Sequence, residues 1–93
     1  MGEKKVVYIS GPITGVKNYW EAFSEAAGHL DAMGYAVLNP SDLPEGMTNE
    51  QYMRINFAQI DAADAVYFLP GWEQSKGASL ERAYCEYIGK AVL

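Results

Sequence analysis

Four short apolar runs, separated by three longer segments with helical periodicity, constrain the fold more than any other feature of the sequence. The runs cover residues 6–9, 35–38, 65–69 and 91–93. They are rich in β-branched and aromatic residues, and the first three end at glycine, proline or asparagine, which is typical of strands. Because strands that alternate with helices pair in parallel through right-handed crossovers, the sequence predicts an α/β fold.

The three intervening segments carry start and stop signals for helices. Two of them open with a capping-box pattern, Asn18 with Glu21 and Thr48 with Gln51. The helices are expected over residues 18–34, 48–62 and 77–88. We therefore predict a flavodoxin-like three-layer sandwich, in which a four-stranded parallel sheet of order 2-1-3-4 has helices on both faces.

This strand order reverses direction between the first and third strands. Open α/β sheets bind ligands at such a switch point, outside the carboxyl ends of the strands. We therefore expect loop 11–15 and loop 70–77 to face each other across a cleft.

Composition narrows the class of partner. The 93 residues are 49% hydrophobic and carry a formal net charge of −5, which favours a folded domain and disfavours nucleic acid polymers and anionic membranes. A single cysteine, Cys85, and a single histidine, His29, allow neither a disulfide framework nor a Cys/His zinc site. No apolar stretch is long enough to span a membrane, and no signal-peptide core is evident. We expect a cytoplasmic protein with a small-molecule partner, no cofactor and no metal.

Glu81 is the most informative polar residue. It shares a helical stripe with Tyr84 and Ile88, which should face inward. Its position near the start of the helix should keep it ionised through the macrodipole, as a nucleophile requires. The alternative is an ordinary, favourable first-turn glutamate. Arg82 and Glu86, on another face, are expected to form a solvent-side ion pair of small value.

The turn before the third helix is a candidate anion site. Gly71, Ser75, Gly77 and Ser79 crowd this turn, where free backbone N–H groups can hold a phosphate. The alternative is an ordinary strand-to-helix connection, in which glycine and serine serve turn and capping roles.

Two aromatic side chains lie next to the predicted switch point. Tyr8 at the end of the first strand and Trp72 after the third could flank a base or a sugar. Packing in the core or at a subunit contact is the favoured alternative, because aromatic residues contribute mostly by burial. His29 is expected on the surface of the first helix.

Two separate segments carry a resemblance to a known family. The segments YISGPITG (8–15) and GWEQSKGA (71–78) occur in the order found in the DUF4406 family, common in phages. That family is similar to nucleoside 2-deoxyribosyltransferases and to deoxynucleoside 5′-monophosphate N-glycosidases. The resemblance covers nearly the whole chain and implies one such domain over residues 1–93, acting in the host cytoplasm if phage-encoded.

The resemblance implies a set of roles for residues of this chain. Glu81 matches a glutamate that attacks the anomeric carbon and forms a covalent deoxyribosyl intermediate, and Tyr8 would lie beside it. Ser75 would contact phosphate or sugar, while Gly11 and Gly77 would let the backbone approach a nucleoside or nucleotide. The residues implied in ligand binding are Gly11, Pro12, Ile13, Thr14, Gly15, Gly71, Trp72, Ser75, Gly77 and Ala78.

Two positions depart from the pattern of the active relatives. Asn56 replaces a catalytic aspartate on the second helix and cannot supply a proton, although Asp61 and Asp64 follow in the sequence. Thr14 replaces a phosphate-binding arginine. The sequence is therefore compatible with an N-glycosidase or transferase built on Glu81, with Asn56 at the acid position. The alternative is a non-catalytic protein that sequesters a nucleotide-derived signal.

A homo-oligomer, most simply a two-fold dimer, is the expected assembly. A small α/β domain leaves apolar helix faces to cover, and the resembled enzymes often complete each site from a neighbouring subunit. The aromatic residues expected to supply the interface are Tyr19, Trp20, Phe23, Tyr84 and Tyr87.

Overall fold

The computed structural model describes residues 3–93 and contains a four-stranded parallel sheet. Strand β1 (Val6–Ser10) lies between β2 (Ala36–Leu38) and β3 (Ala65–Phe68), and β4 (Ala91–Val92) pairs with the other side of β3. All three pairings are parallel, so the predicted order 2-1-3-4 is confirmed.

Three helices cover the sheet. They are α1 (Tyr19–Ala32), α2 (Asn49–Ala62) and α3 (Lys76–Ile88). Single 3₁₀ turns at Pro40–Asp42 and Trp72–Gln74 interrupt the segments that were expected to be loops. The α/β class and the flavodoxin-like arrangement are as predicted.

Alternation along β1 divides the core into two halves. Val7 and Ile9 point toward α1 and pack with Phe23 and Leu30 of that helix. Tyr8 points to the opposite face and packs with residues of α2 and α3. Because successive side chains of a strand face opposite sides, Ser10 shares the face of Tyr8. This alternation brings two hydroxyl groups of one strand to the side on which α2 and α3 lie.

Only one of the two predicted capping boxes forms in the structure. Thr48 and Gln51 form the reciprocal box at the start of α2. Asn18 precedes α1 but adopts a left-handed backbone (φ 55°), and its side chain makes no cap hydrogen bond. The capping box predicted for Asn18 and Glu21 is therefore wrong, since a side-chain cap needs an extended backbone at that position. The backbone carbonyl of Asn18 instead accepts the Glu21 N–H, at 3.0 Å.

Helix α3 begins one residue earlier than expected. Ser75 is its N-cap, and the Ser75 hydroxyl accepts a hydrogen bond from the backbone N–H of Ala78 at 3.2 Å. Gly89 ends the helix in a left-handed conformation (φ 74°), which glycine adopts without steric cost.

The helices are short compared with a lipid bilayer. The two longest, α1 and α2, have 14 residues each, whereas crossing the hydrocarbon core takes about 20 apolar residues. Across residues 3–93, no helix combines the length and the apolar character that a membrane crossing requires.

Candidate active site

Helix α3 turns Glu81 toward the sheet. Glu81 is only 4% exposed, so the prediction that this carboxylate faces inward is right. The buried stripe, however, runs through Ala78, Glu81 and Cys85, while Ile88 is 42% exposed. The expected stripe was therefore wrong at its C-terminal end. Its true end positions are small residues, which reasoning from large apolar side chains overlooks.

Three neutral side chains donate hydrogen bonds to the Glu81 carboxylate. The hydroxyls of Tyr8 and Ser10 both donate to Oε1, at 3.1 and 2.7 Å. The Asn56 amide of α2 donates from Nδ2 to Oε2 at 3.3 Å. All four residues are buried. Residues from β1, α2 and α3, far apart in sequence, thus converge on one carboxylate.

Ser10 makes the shortest of these bonds, yet the sequence did not single it out. One signal was available, because Ser10 lies two residues after Tyr8 and must share its side of β1 if that segment is a strand. The partner, Glu81, is 71 residues away in the sequence. Spacing alone therefore could not identify the contact.

Burial has the largest effect on the pKa of Glu81. Removal from water raises the pKa of the Glu81 carboxyl above its usual 4.5, while the hydrogen bonds from Ser10, Tyr8 and Asn56 lower it in part. Glu81 lies beyond the first turn of α3, and the effect of the macrodipole falls off within that turn, so its predicted contribution to the ionisation of Glu81 is small. The three donors are what favours the ionised form.

Tyr8 is held as a hydrogen-bond donor. Burial and the neighbouring Glu81 charge raise the pKa of the Tyr8 hydroxyl far above its usual 10.0. The Tyr8 ring packs in the core with Ile60 and Val66, so packing and not base stacking accounts for it. Its hydroxyl therefore keeps its proton and remains a hydrogen-bond donor to Glu81 across the physiological pH range.

Glu81 lies in the wall of a cleft of about 640 Å³. Six residues implied in ligand binding also line this cleft: Gly11, Ile13, Thr14, Ser75, Gly77 and Ala78. The loops after β1 and β3 thus face the same space, as expected at the switch point. Further lining residues, to which the sequence assigned no role in binding, are Tyr19, Pro40, Leu43, Glu45, Asn49, Tyr52, Met53, Gln74, Lys76 and Leu80. Most of these residues come from the 3₁₀ turn Pro40–Asp42, from α2 and from the loop between them.

Four residues implied in ligand binding lie outside this cleft. Pro12 lines a separate groove of about 460 Å³ beside α1. Gly15 and Gly71 have positive φ angles of 77° and 89°, which explains glycine at both positions by backbone geometry. Trp72 packs against Phe68, with ring centroids 5.4 Å apart.

Gly11 is required for close packing. A Cβ atom at this position would lie 2.8 Å from the Cβ and Cδ1 atoms of Leu69. At Gly77, by contrast, an added Cβ would meet nothing within 4 Å. Gly11 therefore holds the loop after β1 against the end of β3, whereas Gly77 leaves open space at the cleft.

The first turn of α3 forms one end of the cleft. Ser75, Lys76 and Gly77 line it, and the first N–H groups of a helix have no intrahelical acceptor. Ser79 does not contribute, because its hydroxyl donates to the carbonyls of Trp72 and Glu73, at 3.4 and 3.3 Å. Of the four residues in the candidate anion site, Ser75 and Gly77 line the cleft, and Lys76 between them adds a positive charge that the sequence analysis did not include.

The other carboxylates considered in the sequence have structural partners. Asp61 accepts a hydrogen bond from the Tyr84 hydroxyl at 2.6 Å, and Asp64 accepts one from the Val6 backbone N–H at 2.7 Å. His29 is exposed in the last turn of α1, as predicted. Within residues 3–93, no three His, Cys, Asp or Glu side chains are grouped so that they could hold a metal ion.

The model of a family described as a domain of unknown function, DUF4406, matches residues 5–93. The chain therefore belongs to the DUF4406 family. A search of curated proteins found no match.

A solved structure shares the fold. The chain is similar to a protein described as a 2-desoxiribosyltransferase from Leishmania mexicana, with a TM-score of 0.74 and 22% sequence identity. The similarity covers 96% of this chain and 62% of that protein. The chain thus spans less than two thirds of its relative, and it has the deoxyribosyltransferase-like fold.

Proposed function

We propose that this protein cleaves the N-glycosidic bond of a nucleoside or nucleotide, or transfers the sugar to another base, with Glu81 as the nucleophile. The observation that carries this proposal is a buried carboxylate, held by three donors, in the wall of a cleft at the switch point of the sheet. The fold shared with a 2-desoxiribosyltransferase supports the same reaction class.

The two carboxylate oxygens have different roles in this scheme. Oε1 accepts two hydroxyl hydrogen bonds, whereas Oε2 accepts only the longer one from Asn56. Oε2 therefore attacks the anomeric carbon, forming a C–O bond as the C–N bond breaks and the base departs with the bonding electrons. Water or a second base then attacks the same carbon, and Glu81 leaves as a carboxylate. Two displacements give retention of configuration.

The cleft has the size and lining that a nucleoside needs. Its volume of about 640 Å³ lies in the usual range for small-molecule sites. Ile13, Tyr52 and Leu80 offer apolar surface for a base, while Lys76 and the first turn of α3 are suited to a phosphate or sugar hydroxyl. We assign recognition of the base and of the anionic end to these two parts of the cleft.

Incubation with a panel of nucleosides and nucleotides, followed by chromatography of free bases, tests this function. Glu81→Gln should reduce base release by at least about 10³-fold, because it removes the nucleophile. Glu86→Gln is the matched control on the outer face of α3 and should act like the wild type. Absence of base release from every substrate, or equal release by Glu81→Gln, would rule the function out.

A non-catalytic nucleotide-binding protein is the second candidate. The buried Asn56 amide favours it, since an amide beside Glu81 cannot act as an acid. Calorimetry with recovery of the intact ligand would support this function, and conversion of the ligand to products would exclude it.

Self-association is part of the same proposal. Trp20 is 49% and Tyr87 90% exposed, and such aromatic surface is enriched in subunit interfaces. The other three aromatic residues predicted for the interface are engaged within the chain. Phe23 is buried, Tyr19 packs against the core and Tyr84 stacks on Phe57. Light scattering should give a mass of twice 10.3 kDa or more, and a mass near 10.3 kDa would contradict oligomer formation.

A further inference from the structure

The buried Glu81 carboxylate has no cationic partner among residues 3–93. Its hydrogen-bond donors, Tyr8, Ser10 and Asn56, are all neutral. The two salt bridges in this range, Arg54 with Glu50 and Arg82 with Glu86, lie elsewhere. Buried charges in proteins are normally paired with an opposite charge. A positively charged ligand would supply the counter-charge that Glu81 lacks.

The side chains that contact Glu81 include no carboxylic acid or histidine that could protonate a leaving base. The side chain that faces Glu81 from α2 is the Asn56 amide, which cannot give up a proton. Among the described residues lining the cleft, the other titratable side chains are Tyr19, Glu45, Tyr52 and Lys76. Tyr19 packs against the half of the core formed by Val7, Ile9 and α1. The Tyr52 hydroxyl already donates to the Pro44 carbonyl at 2.6 Å, and Glu45 and Lys76 are exposed.

The absence of a general acid slows cleavage of substrates with a neutral base but not of substrates whose base is already cationic. A neutral nucleobase leaves as an anion unless it is protonated, and a positioned general acid is worth about 10²–10⁴-fold in rate. A base that already carries a formal positive charge leaves as a neutral molecule. The electron pair of the broken C–N bond neutralises its nitrogen, so no proton is needed.

We propose that the site acts on N-glycosides whose leaving group is a cationic heteroaromatic ring, such as a pyridinium or an N-alkylated purine. This inference rests on the proposed function and specifies its substrate class. In the first step Oε2 of Glu81 bonds to the anomeric carbon and the ring leaves neutral. In the second step water displaces Glu81 and releases one proton to solvent. The cation also supplies the positive charge that the buried carboxylate lacks.

A matched pair of substrates tests the proposal. 7-Methyl-2′-deoxyguanosine and 2′-deoxyguanosine share sugar and ring system and differ by one methyl group and one charge. Because methylation also speeds spontaneous cleavage, each enzymatic rate is divided by the spontaneous rate at the same pH. The resulting enhancement should be at least as large for the cation. A larger enhancement for the neutral substrate would overturn the inference, since a positioned acid, worth about 10²–10⁴-fold, would then be acting on the leaving base.

The variant Asn56→Asp supplies the missing acid with nearly unchanged shape. It should raise kcat/KM for 2′-deoxyguanosine at least tenfold at mildly acidic pH, with a smaller gain or a loss for the methylated substrate. Asn18→Asp makes the same substitution at an exposed residue that does not line this cleft and whose side chain makes no cap hydrogen bond, and it should bring no such gain. An equal gain from both aspartates would contradict the proposal.

Nicotinamide riboside, whose leaving group is a pyridinium ring, is a second cationic substrate that tests the same proposal independently. A normalised enhancement for either cation that matches or exceeds that for 2′-deoxyguanosine supports the proposal, and the cation with the larger enhancement identifies the ring type. If neither cations nor neutral nucleosides release base, the proposed function itself fails. If neutral nucleosides are cleaved with the larger enhancement, the function stands and only the substrate class is wrong. The substrate comparison uses the wild-type protein, so it holds even if Asn56→Asp does not fold.

Discussion

Two glutamates five residues apart on α3 have opposite environments. Glu81 is buried and accepts hydrogen bonds from three neutral side chains. Glu86 is exposed and pairs with Arg82 at 3.3 Å, one turn back on the same helix. The difference comes from the face of the helix that each occupies. A buried carboxylate without a counter-charge lowers stability and suits chemistry, whereas an exposed pair adds little to either.

Removing one donor tests how Glu81 is held. Ser10→Ala should reduce the rate at neutral pH about tenfold, because a hydrogen bond to a buried charge is lost. The acid limb of the pH profile should also move to higher pH, since this bond lowers the pKa of Glu81. Ser79→Ala removes a hydroxyl that donates outside the cleft and is the control. An unchanged pH profile for Ser10→Ala would show that Ser10 has only a packing role.

The pH dependence of stability should separate the two glutamates. Because burial raises the pKa of Glu81 above 4.5 in the folded protein, the folded state binds more protons than the unfolded state just above that pH. The free energy of unfolding should therefore fall as pH rises from 4.5 through the raised pKa. Glu81→Gln should remove this loss, and Glu86→Gln should retain it. Urea unfolding between pH 4 and 8 measures both, and parallel curves for the wild type and Glu81→Gln would refute the explanation.

The smallest effects are expected on the outer face of α3. The Arg82 guanidinium lies over the rings of Phe68 and Trp72, 5.2 and 5.1 Å from their centroids. Arg82→Ala should lower the free energy of unfolding by about 0.5–1 kcal/mol through lost cation–π contact. Glu86→Gln should cost only about 0.5 kcal/mol or less, as expected for an exposed pair. A larger loss of unfolding free energy from Glu86→Gln than from Arg82→Ala would show that the ion pair, and not the cation–π contact, is the main contribution of Arg82.

The sequence predicted the fold well because local signals agreed with one another. Apolar runs, turn residues and the Thr48 capping box all pointed to one order of elements. The inward position of Glu81 was also readable, since a carboxylate in an otherwise apolar stripe is unusual. Asn18 failed as a side-chain cap because its left-handed backbone cannot be inferred from residue type.

The details of the site depended on contacts between distant parts of the chain. Ser10 and Glu81 meet only after β1 and α3 have packed, so no local pattern could pair them. Trp72 was placed near the cleft because it follows β3. The 3₁₀ turn Trp72–Gln74 instead sets its ring against Phe68 and Arg82. Geometry of this kind follows from tertiary packing and not from spacing.

The most direct test of the account is a search for a glycosyl group covalently attached to Glu81. The protein is mixed with a cleaved substrate, quenched in acid within milliseconds and digested for mass spectrometry. If Glu81 is the nucleophile, the mass of the sugar residue is added to the peptide that contains Glu81, and Glu81→Gln gives no adduct. Rapid turnover with no adduct, together with inverted configuration of the released sugar, would contradict a Glu81 nucleophile.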